Sequence, residues 1–430
     1  MRLRQVALGL PLVLACAGPR PSGRFSAEPG LQPGSASESS GPSQRSRVLP
    51  GIDVLLTDSA HLIAGRRLGL ITNQTGVDAA GVPTVDRLHA LSADGRRPTA
   101  VGLVALFAPE HGIRGTARPG ERVSDTVDTA TSLPIYSLYG ANRAPTAQQL
   151  AGLDVLLVDL QDVGARTFTY VSTMVLSMRA AAAARRRIIV LDRPNPIGCA
   201  MQGPVLDTAY ASFIGMLPVP LRHGMTIGEL ARFANAELRI GADLVVVPVK
   251  GWRCEWFDET GLPWVRPSPN LPDLEALAWY PGTVLFEATN LSVGRGTDAP
   301  FRFLGAPWLS PRMQERCVVH TSEEYEWADV DTLTPIAPGD GKYDGQRLPG
   351  WRLSGHDSSR YCDVIHLAVR LMSRVAREYP QFVVDSLGLA RRFGIPLDLY
   401  ADGVTRAIQS WGDPTAFERR ARRYFLYPRR

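Results

Sequence analysis

Short apolar runs alternate with polar, glycine-containing turns between residue 51 and about residue 250. Runs of the length of a buried strand occur at residues 52–56, 68–71, 101–107, 155–158, 188–191 and 244–247. Apolar side chains recur at helical spacing between several of these runs, at residues 84–91, 146–153 and 171–184. Near-continuous apolar strands separated by helices are typical of a parallel, doubly wound sheet. The pattern therefore predicts an α/β fold for this part of the chain.

The pattern changes after about residue 250, where regular strands become rarer and tryptophan, proline and glycine become more frequent. Helical spacing returns near the end, at residues 364–379, 405–411 and 417–424. Because 430 residues exceed the usual size of one hydrophobic core, we predict two folded domains. Residues 48–250 would form the sheet domain, and residues 251–430 a second domain that contributes to a cleft.

The first 47 residues have the features of an export signal followed by a linker. Arg2 and Arg4 precede an apolar stretch, and residues 13–16 read VLAC, which resembles the lipobox of bacterial lipoproteins. We expect residues 1–16 to direct export and Cys16 to carry a lipid, although Leu14 departs from the usual lipobox and leaves ordinary signal cleavage as the alternative. Residues 17–47 are rich in proline, serine and glycine and are predicted to be a disordered tether.

No later apolar stretch is long enough to span a bilayer. Membrane contact is therefore predicted only through the N-terminal anchor, with the folded part facing the periplasm or the cell exterior.

The charge and composition exclude several classes of protein. With 45% hydrophobic and 21% charged residues, the chain resembles a folded globular protein and not a disordered or fibrous one. The net charge is +5, and nearly all the positive charge is arginine, since Lys250 and Lys342 are the only lysines. The densest basic run, residues 419–423, lies beside aromatic residues, and we interpret it as a solvated helix end. No nucleic-acid partner is predicted.

The cysteines and the standard catalytic motifs add only negative information. Cys199, Cys254, Cys317 and Cys362 follow Cys16, and no two of them have CxxC or zinc-ligand spacing. Disulfides are allowed in an exported chain but are not implied. The chain has no HExxH motif, GxSxG motif or clustered histidine and cysteine set, which argues against a zinc peptidase and a standard α/β-hydrolase. No metal or other cofactor is predicted.

Polar loops follow four consecutive predicted strands, at residues 73–76, 109–112, 159–162 and 192–195. In a parallel sheet these loops share one edge, where ligands bind. Turns and helix caps would explain any one loop, but all of them together favour a site. The candidate side chains are those of Asn73, Glu110, His111, Asp159, Asp162 and Asp192.

Glu110 is the most informative of these residues because it directly follows an apolar run. Partial burial there would raise its pKa towards that of a general acid. The alternatives are a carboxylate at a helix N-terminus and an ion pair with Arg114. His111 would position a substrate or tune Glu110, and a hydrogen-bonded structural imidazole is the alternative.

Further polar candidates lie in the second half of the chain. Glu287 is followed by the segment 294–298, in which glycines flank Arg295 and Asp298 comes last. A guanidinium in this setting can bind a carboxylate through two parallel hydrogen bonds. The segment lacks the strand, the full glycine pattern and the lysine of a phosphate loop, so nucleotide binding is not predicted.

Several longer motifs occur in a fixed order along the chain. They read LITNQTG (70–76), LFAPEHGIRG (106–115), LPIYSLYG (133–140), DLQDVGARTFTY (159–170), LDRPNPIG (191–198) and FEATNLSVGRGTD (286–298). Together they resemble the bacterial exo-β-N-acetylmuramidase family, long classed as a domain of unknown function, and the resemblance runs from about residue 51 to residue 427. It implies a Rossmann-like domain with the catalytic centre, followed by a smaller α+β C-terminal domain.

The resemblance also implies an activity, the removal of β-1,4-linked N-acetylmuramic acid from the non-reducing end of peptidoglycan fragments. The catalytic glutamate of the family falls on Glu110, and its neighbour on His111. We expect metal-independent hydrolysis in which Glu110 protonates the leaving oxygen and Asp159 or Asp162 stabilises or attacks the oxocarbenium-like centre. The other candidates, inferred from placement, are assigned to substrate binding, and they are Asn73, Asp192, Glu287, Asp298 and Arg295, the last for the lactyl carboxylate.

Two other functions remain open beside this one. A non-catalytic lipoprotein could bind cell-wall sugars with the same cleft, and an esterase or amidase could act on cell-wall substituents, although the missing serine motif disfavours the latter. Residues 333–343 are less regular than we expect of relatives, and we expect them to alter the rim of the cleft.

Overall fold

The computed structural model describes residues 47–93, 101–115, 125–311, 316–318, 324–326, 328–354, 363–399, 411 and 414–429, with only the backbone for residues 316–318 and 324–326. The predicted export signal, Cys16, the predicted tether up to residue 46 and Cys362 lie outside the described residues. So does the predicted helix at residues 405–411, apart from Trp411.

The described strands and helices alternate through the first half of the chain. The strands are β1 (Arg67–Thr72), β2 (Gly102–Ala108), β3 (Thr126–Val127), β4 (Pro134–Ser137), β5 (Val155–Asp159), β6 (Arg187–Leu191), β7 (Gln202–Val205), β8 (Pro220–Arg222), β9 (Leu244–Val247), β10 (Phe303–Gly305), β11 (Arg316–Val318), β12 (Glu324–Glu326), β13 (Ala328–Leu333) and β14 (Leu348–Leu353). The helices are α1 (Gly51–Thr57), α2 (Thr84–Ala93), α3 (Ala147–Ala151), α4 (Tyr170–Ala183), α5 (Ile227–Glu237), α6 (Leu274–Thr283), α7 (Val364–Glu378), α8 (Ser386–Phe393) and α9 (Pro414–Ala421).

The central sheet has the strand order β3-β4-β2-β1-β5-β6-β9. All neighbouring strands are parallel except β3, which runs antiparallel to β4. The chain leaves β1 towards one edge through β2 and β4, and later returns to the other side of β1 as β5. This confirms the predicted Rossmann-like, doubly wound sheet, and the order reverses between β1 and β5, where such folds usually bind ligands.

One predicted strand is in fact a helix. Residues 52–56 form the body of α1, whose Ile52 and Leu55 are fully buried. A short apolar run does not distinguish a buried helix from a buried strand, because both bury nearly every side chain. Gly51 begins the helix against β6, and a Cβ at this position would lie 2.5 Å from the backbone nitrogen of Asp192. The other strands and the helices predicted before residue 250 are confirmed.

The second half of the chain is a smaller α+β unit, as predicted. Strands β10, β14 and β13 form an antiparallel sheet, and α6 packs against α7. The end of the chain returns to the Rossmann-like domain, where the Tyr427 hydroxyl accepts a hydrogen bond from the Val249 backbone at 2.7 Å.

A disulfide joins Cys199 to Cys254, a pairing that the sequence left open. It links the loop that follows β6 to the loop that follows β9. No helix among the described residues is long and apolar enough to cross a membrane.

Candidate active site

A cavity of about 830 Å³ lies beyond the carboxyl ends of β2 and β4 and is lined on its other side by the second half of the chain. The loops of the Rossmann-like domain contribute Glu110, His111, Tyr139, Arg143, Thr167, Thr169 and Phe213. The later residues contribute Tyr280, Glu287, Arg295, Phe301, Asp340, Asp385, Arg391 and Arg392. The residues that line the cavity thus come from both halves of the chain.

Glu110 lies on the cavity wall in the turn that follows β2, and no helix begins there. The Thr169 hydroxyl donates a hydrogen bond to Glu110 Oε2 at 3.2 Å. Burial, together with the nearby Glu110 carboxylate, raises the pKa of Tyr139 to about 12, so this phenol keeps its proton at neutral pH. Arg114 forms ion pairs with Asp86 at 2.9 Å and Asp128 at 3.0 Å. The Glu110 carboxylate is thus next to two hydroxyl groups on the wall of the cavity.

The backbone beside Glu110 adopts an uncommon conformation. His111 has a φ of 75°, as has Gly112 after it, and the His111 side chain is buried. A non-glycine residue in the left-handed region costs on the order of 1 kcal/mol or more and persists only where its surroundings enforce it. Such residues concentrate at functional sites, which agrees with the position of His111 on the cavity wall.

Arg295 lines the cavity from the second half of the chain, and two carboxylates bind its guanidinium. Its Nε and Nη2 atoms donate to Glu287 Oε1 at 3.0 and 2.6 Å, and its Nη1 atom donates to Asp340 Oδ1 at 3.1 Å. The guanidinium also lies 5.1 Å from the centroid of the Phe301 ring. Glu287 Oε2 is 3.6 Å from Arg392 Nη2. A guanidinium has five N–H donors, and the bonds to described carboxylates use three of them.

Two exposed arginines lie at the cavity without a carboxylate partner among the described residues. Arg143 stacks over the Phe213 ring at 4.3 Å, and Arg391 precedes Arg392 at the end of α8. With Arg295 and Arg392 they give the cavity a supply of guanidinium groups that suits an anionic ligand.

Asp159 and Asp162, the two residues predicted to stabilise or attack the oxocarbenium-like centre, are not among the residues that line the cavity. Asp159 is fully buried and accepts from Arg193 Nε at 2.6 Å and Nη2 at 2.9 Å. Asp162 is also buried, accepts from the Gly164 backbone at 2.8 Å and lies 3.1 Å from His223 Nε2. Both carboxylates thus bind donors of the strand-end loops, and Asp159 has no exposed surface.

Three of the predicted substrate-binding residues also lie away from the cavity. Asn73 is buried, and its Oδ1 atom accepts from Thr75. Asp192 is fully buried and accepts from the Tyr427 hydroxyl at 2.5 Å; burial raises the pKa of Asp192 to about 7. Asp298 has 71% of its side chain exposed and pairs with Arg352 at 3.0 Å. Only Glu287 and Arg295 of this group reach the cavity.

Sequence patterns did not identify some of the residues that line the cavity. Tyr139 and Thr169 lie inside the motifs 133–140 and 159–170, so the motifs contained them without marking their positions. Arg392 had no motif to single it out. Asp340 belongs to the segment in which we expected a departure from relatives, and it forms part of the cavity wall. No group of three or more histidine, cysteine, aspartate and glutamate side chains within the described ranges could hold a metal ion.

Comparison with known proteins identifies the family of this chain. Residues 68–275 match the family model described as exo-β-N-acetylmuramidase NamZ, N-terminal, and residues 278–427 match its C-terminal counterpart. The peptidoglycan β-N-acetylmuramidase NamZ of Bacillus subtilis strain 168 is 47% identical over 268 residues, which cover 62% of this chain and 63% of that protein. The chain is thus aligned with slightly less than two thirds of that relative's length.

Two crystal structures of DUF1343 family proteins from Bacteroides fragilis NCTC 9343 have the same fold. One superposes with a TM-score of 0.76 at 31% identity and covers 89% of this chain and 99% of its own. The other gives 0.68 at 29% identity, with 90% and 100% covered. The family models together cover most of the chain in the right order, and so the chain belongs to the exo-β-N-acetylmuramidase family.

Proposed function

We propose that this protein is an exo-acting glycoside hydrolase that removes β-1,4-linked N-acetylmuramic acid from the non-reducing end of peptidoglycan fragments. The observation that carries the proposal is the position of Glu110, a carboxylate on the wall of a cavity that also holds the guanidinium of Arg295. The family assignment and the muramidase activity of the Bacillus subtilis relative support the same reaction.

The cavity suits a sugar that carries an acid. N-acetylmuramic acid differs from N-acetylglucosamine by its lactyl group, whose carboxylate is negative at neutral pH. Arg295 retains two N–H donors for such a group after its bonds to Glu287 and Asp340. The cavity volume of about 830 Å³ lies in the usual range for small-molecule sites. Recognition of the lactyl carboxylate by Arg295 would therefore select muramic acid over glucosamine.

Glu110 would act as the general acid. The Thr169 hydroxyl donates a hydrogen bond to Oε2 and orients the carboxyl group, which would give its proton to the leaving glycosidic oxygen. Tyr139 keeps its own proton, since its pKa is about 12, and can donate a hydrogen bond without acting as a base. Proton donation at this oxygen is the step that both retaining and inverting glycosidases share.

We expect the second group of the reaction to come from the cavity wall. Because Asp159 and Asp162 are buried away from it, the lining carboxylates other than Glu110 are the candidates, and these are Glu287, Asp340 and Asp385. Asp385 caps α8 through the Gly388 backbone at 2.9 Å, and Asp340 and Glu287 hold Arg295. A second carboxylate on the wall would stabilise positive charge on the sugar ring or activate water.

Turnover of chromogenic glycosides separates this function from the alternatives. The wild type should release the chromophore steadily from a β-N-acetylmuramic acid glycoside and much more slowly from the matching N-acetylglucosamine glycoside. Binding without release would support the sugar-binding lipoprotein. Loss of an acyl or peptide substituent from muropeptides with the glycosidic bond intact would support an esterase or amidase.

We also propose that the protein is exported and anchored through a lipid on Cys16. Support comes from the basic and apolar start of the chain, and the Cys199–Cys254 disulfide suits an oxidising compartment. Intact-mass analysis of protein from the native cell should show a diacylglycerol adduct on a chain that begins at Cys16. A mass that corresponds to cleavage at another residue, without lipid, would contradict the anchor.

A further inference from the structure

A single ammonium group lies at the centre of a turn in the cavity wall. Lys342 Nζ donates to the carbonyl oxygens of Phe286 and Glu287, both at 3.2 Å, and of Leu291 at 3.0 Å. It also donates to the carbonyl of Thr289. Backbone oxygens from four residues thus converge on one side chain that comes from a distant part of the chain.

The carbonyls of Phe286 and Glu287 belong to the end of a helical stretch, because α6 continues into a 3-10 turn at Val284–Ala288, and those of Thr289 and Leu291 follow directly after it. Carbonyl groups at a helix C-terminus lack intrahelical donors and carry partial negative charge, which a cation stabilises. The Tyr343 hydroxyl donates to the Asn290 carbonyl at 2.7 Å, and the Asp385 backbone donates to that of Ala288 at 2.8 Å. Each carbonyl from residue 286 to residue 291 therefore has a donor from outside the turn.

The same turn carries Glu287 into the cavity. Glu287 binds Arg295 through Oε1 at 2.6 Å, and its Oε2 atom faces Arg392 at 3.6 Å. Asp340, two residues before Lys342, binds the other end of the Arg295 guanidinium at 3.1 Å. A shift of the turn would displace both arginines, since their carboxylate partner moves with it.

The choice of lysine at this position has a chemical reason. Lysine is rare in this chain, and the other one, Lys250, is largely exposed and pairs with Asp58 at 3.1 Å. Lysine presents three donors around one nitrogen, which the four carbonyls share, whereas arginine spreads its donors over a flat fork. Carbonyls that converge on a point fit an ammonium and not a guanidinium.

We propose that Lys342 is a positioning residue whose ammonium holds the turn 286–291 and thereby the Glu287–Arg295 pair that binds the substrate carboxylate. The last part of this statement rests on the proposed function, whereas the attachment of the turn to Lys342 does not.

The test compares Lys342→Met, Lys342→Arg and Lys342→Ala with the matched control Lys250→Met. Each variant is checked by circular dichroism, its melting temperature is measured, and KM and kcat are determined on the muramic acid glycoside. Lys342→Ala is also measured with n-propylammonium, which replaces the missing ammonium, and with 1-propanol as a neutral additive of similar size.

Lys342→Met should melt several degrees lower and raise KM about tenfold, because the arginines that bind the carboxylate lose their fixed position, while kcat changes less. Lys342→Arg should keep the positive charge but still have a KM above the wild-type value. Propylammonium, but not propanol, should return the melting temperature and KM of Lys342→Ala towards wild-type values. Lys250→Met should leave all values unchanged.

Wild-type KM and melting temperature in Lys342→Met, or full function in Lys342→Arg, would overturn the proposal. If Lys342→Met does not fold, the test is the melting temperature of Lys342→Ala with and without propylammonium. A melting temperature that propylammonium does not increase would overturn the proposal. Absence of turnover by the wild type would instead overturn the proposed function, and the melting experiment would still test the attachment of the turn.

Discussion

Two clusters of polar residues lie beyond the carboxyl ends of the strands, and they differ in how far their charged groups are buried. In the crevice between β1 and β5, Asp159 and Arg193 bind each other and are almost completely buried. In the cavity beyond β2 and β4, Glu110 and Arg295 remain partly exposed. The side chains in the crevice bind other parts of the protein, whereas those in the cavity are accessible to a ligand. Polar residues at strand ends are therefore a sign of a site only when the opposite wall leaves them accessible.

The largest expected effect is on catalysis at the cavity. Glu110→Gln should lower kcat on the muramic acid glycoside by about 10²- to 10⁴-fold, because the amide cannot give a proton to the leaving oxygen. The melting temperature should stay within about a degree of the wild-type value, since an exposed amide replaces a partly exposed carboxylate at little cost in stability. A folded variant with more than about a tenth of wild-type kcat would contradict the assignment.

In the crevice we expect a substitution to lower stability and to leave substrate binding unchanged. Asp159→Asn leaves Arg193 without its buried counter-charge and should lower the free energy of unfolding by about 3–5 kcal/mol, measured by urea denaturation. At low temperature the folded fraction should keep wild-type KM. Asp298→Asn is the matched control, because this carboxylate is largely exposed and its pair with Arg352 contributes at most about 1 kcal/mol. A stable Asp159→Asn protein without activity would show that Asp159 has a role in the reaction.

A smaller effect distinguishes the two sugars. Arg295→Gln should raise KM for the muramic acid glycoside about ten- to a hundredfold and change KM for the N-acetylglucosamine glycoside little, because only the first carries a carboxylate. Arg352→Gln, which removes an arginine that does not line the cavity, serves as the control. Equal losses on both glycosides would place the lactyl group elsewhere.

The smallest effect concerns pH and Asp192. Burial raises the pKa of Asp192 to about 7, so the folded protein keeps a proton between about pH 4 and pH 7 that the unfolded chain has lost. Its contribution to stability is therefore greatest below about pH 4 and falls as the pH rises through 7. Asp192→Asn should lose less free energy of unfolding than the wild type between pH 5 and pH 8. Identical slopes for both proteins would contradict the raised pKa.

Sequence patterns predicted the fold well because burial determines both the spacing of apolar residues along the chain and the packing of the strands and helices. The apolar runs of β1, β2, β5, β6 and β9 and the helical spacing of α2 and α4 follow from packing on both faces of the sheet. The run at residues 52–56 failed because short buried helices and strands have the same composition. The Cys199–Cys254 pairing depends on two loops meeting in space, which spacing along the chain does not encode.

The candidate site was predicted only in part, for a physical reason. The position of Glu110 at a strand end was visible in the sequence, but so was that of Asp159, and nothing local distinguishes a carboxylate that faces solvent from one that faces Arg193. Asp340 and Arg392 reach the cavity through the fold of the second half of the chain. Their selection needs the three-dimensional arrangement.

The most direct test of the central claim is a crystal structure of Glu110→Gln with a disaccharide that carries N-acetylmuramic acid at its non-reducing end. The glycosidic oxygen should lie within about 3 Å of the residue 110 side chain, and the lactyl carboxylate should be bound by Arg295. Density for the sugar in the crevice between β1 and β5, or in the cavity with the glycosidic oxygen far from residue 110, would contradict the account.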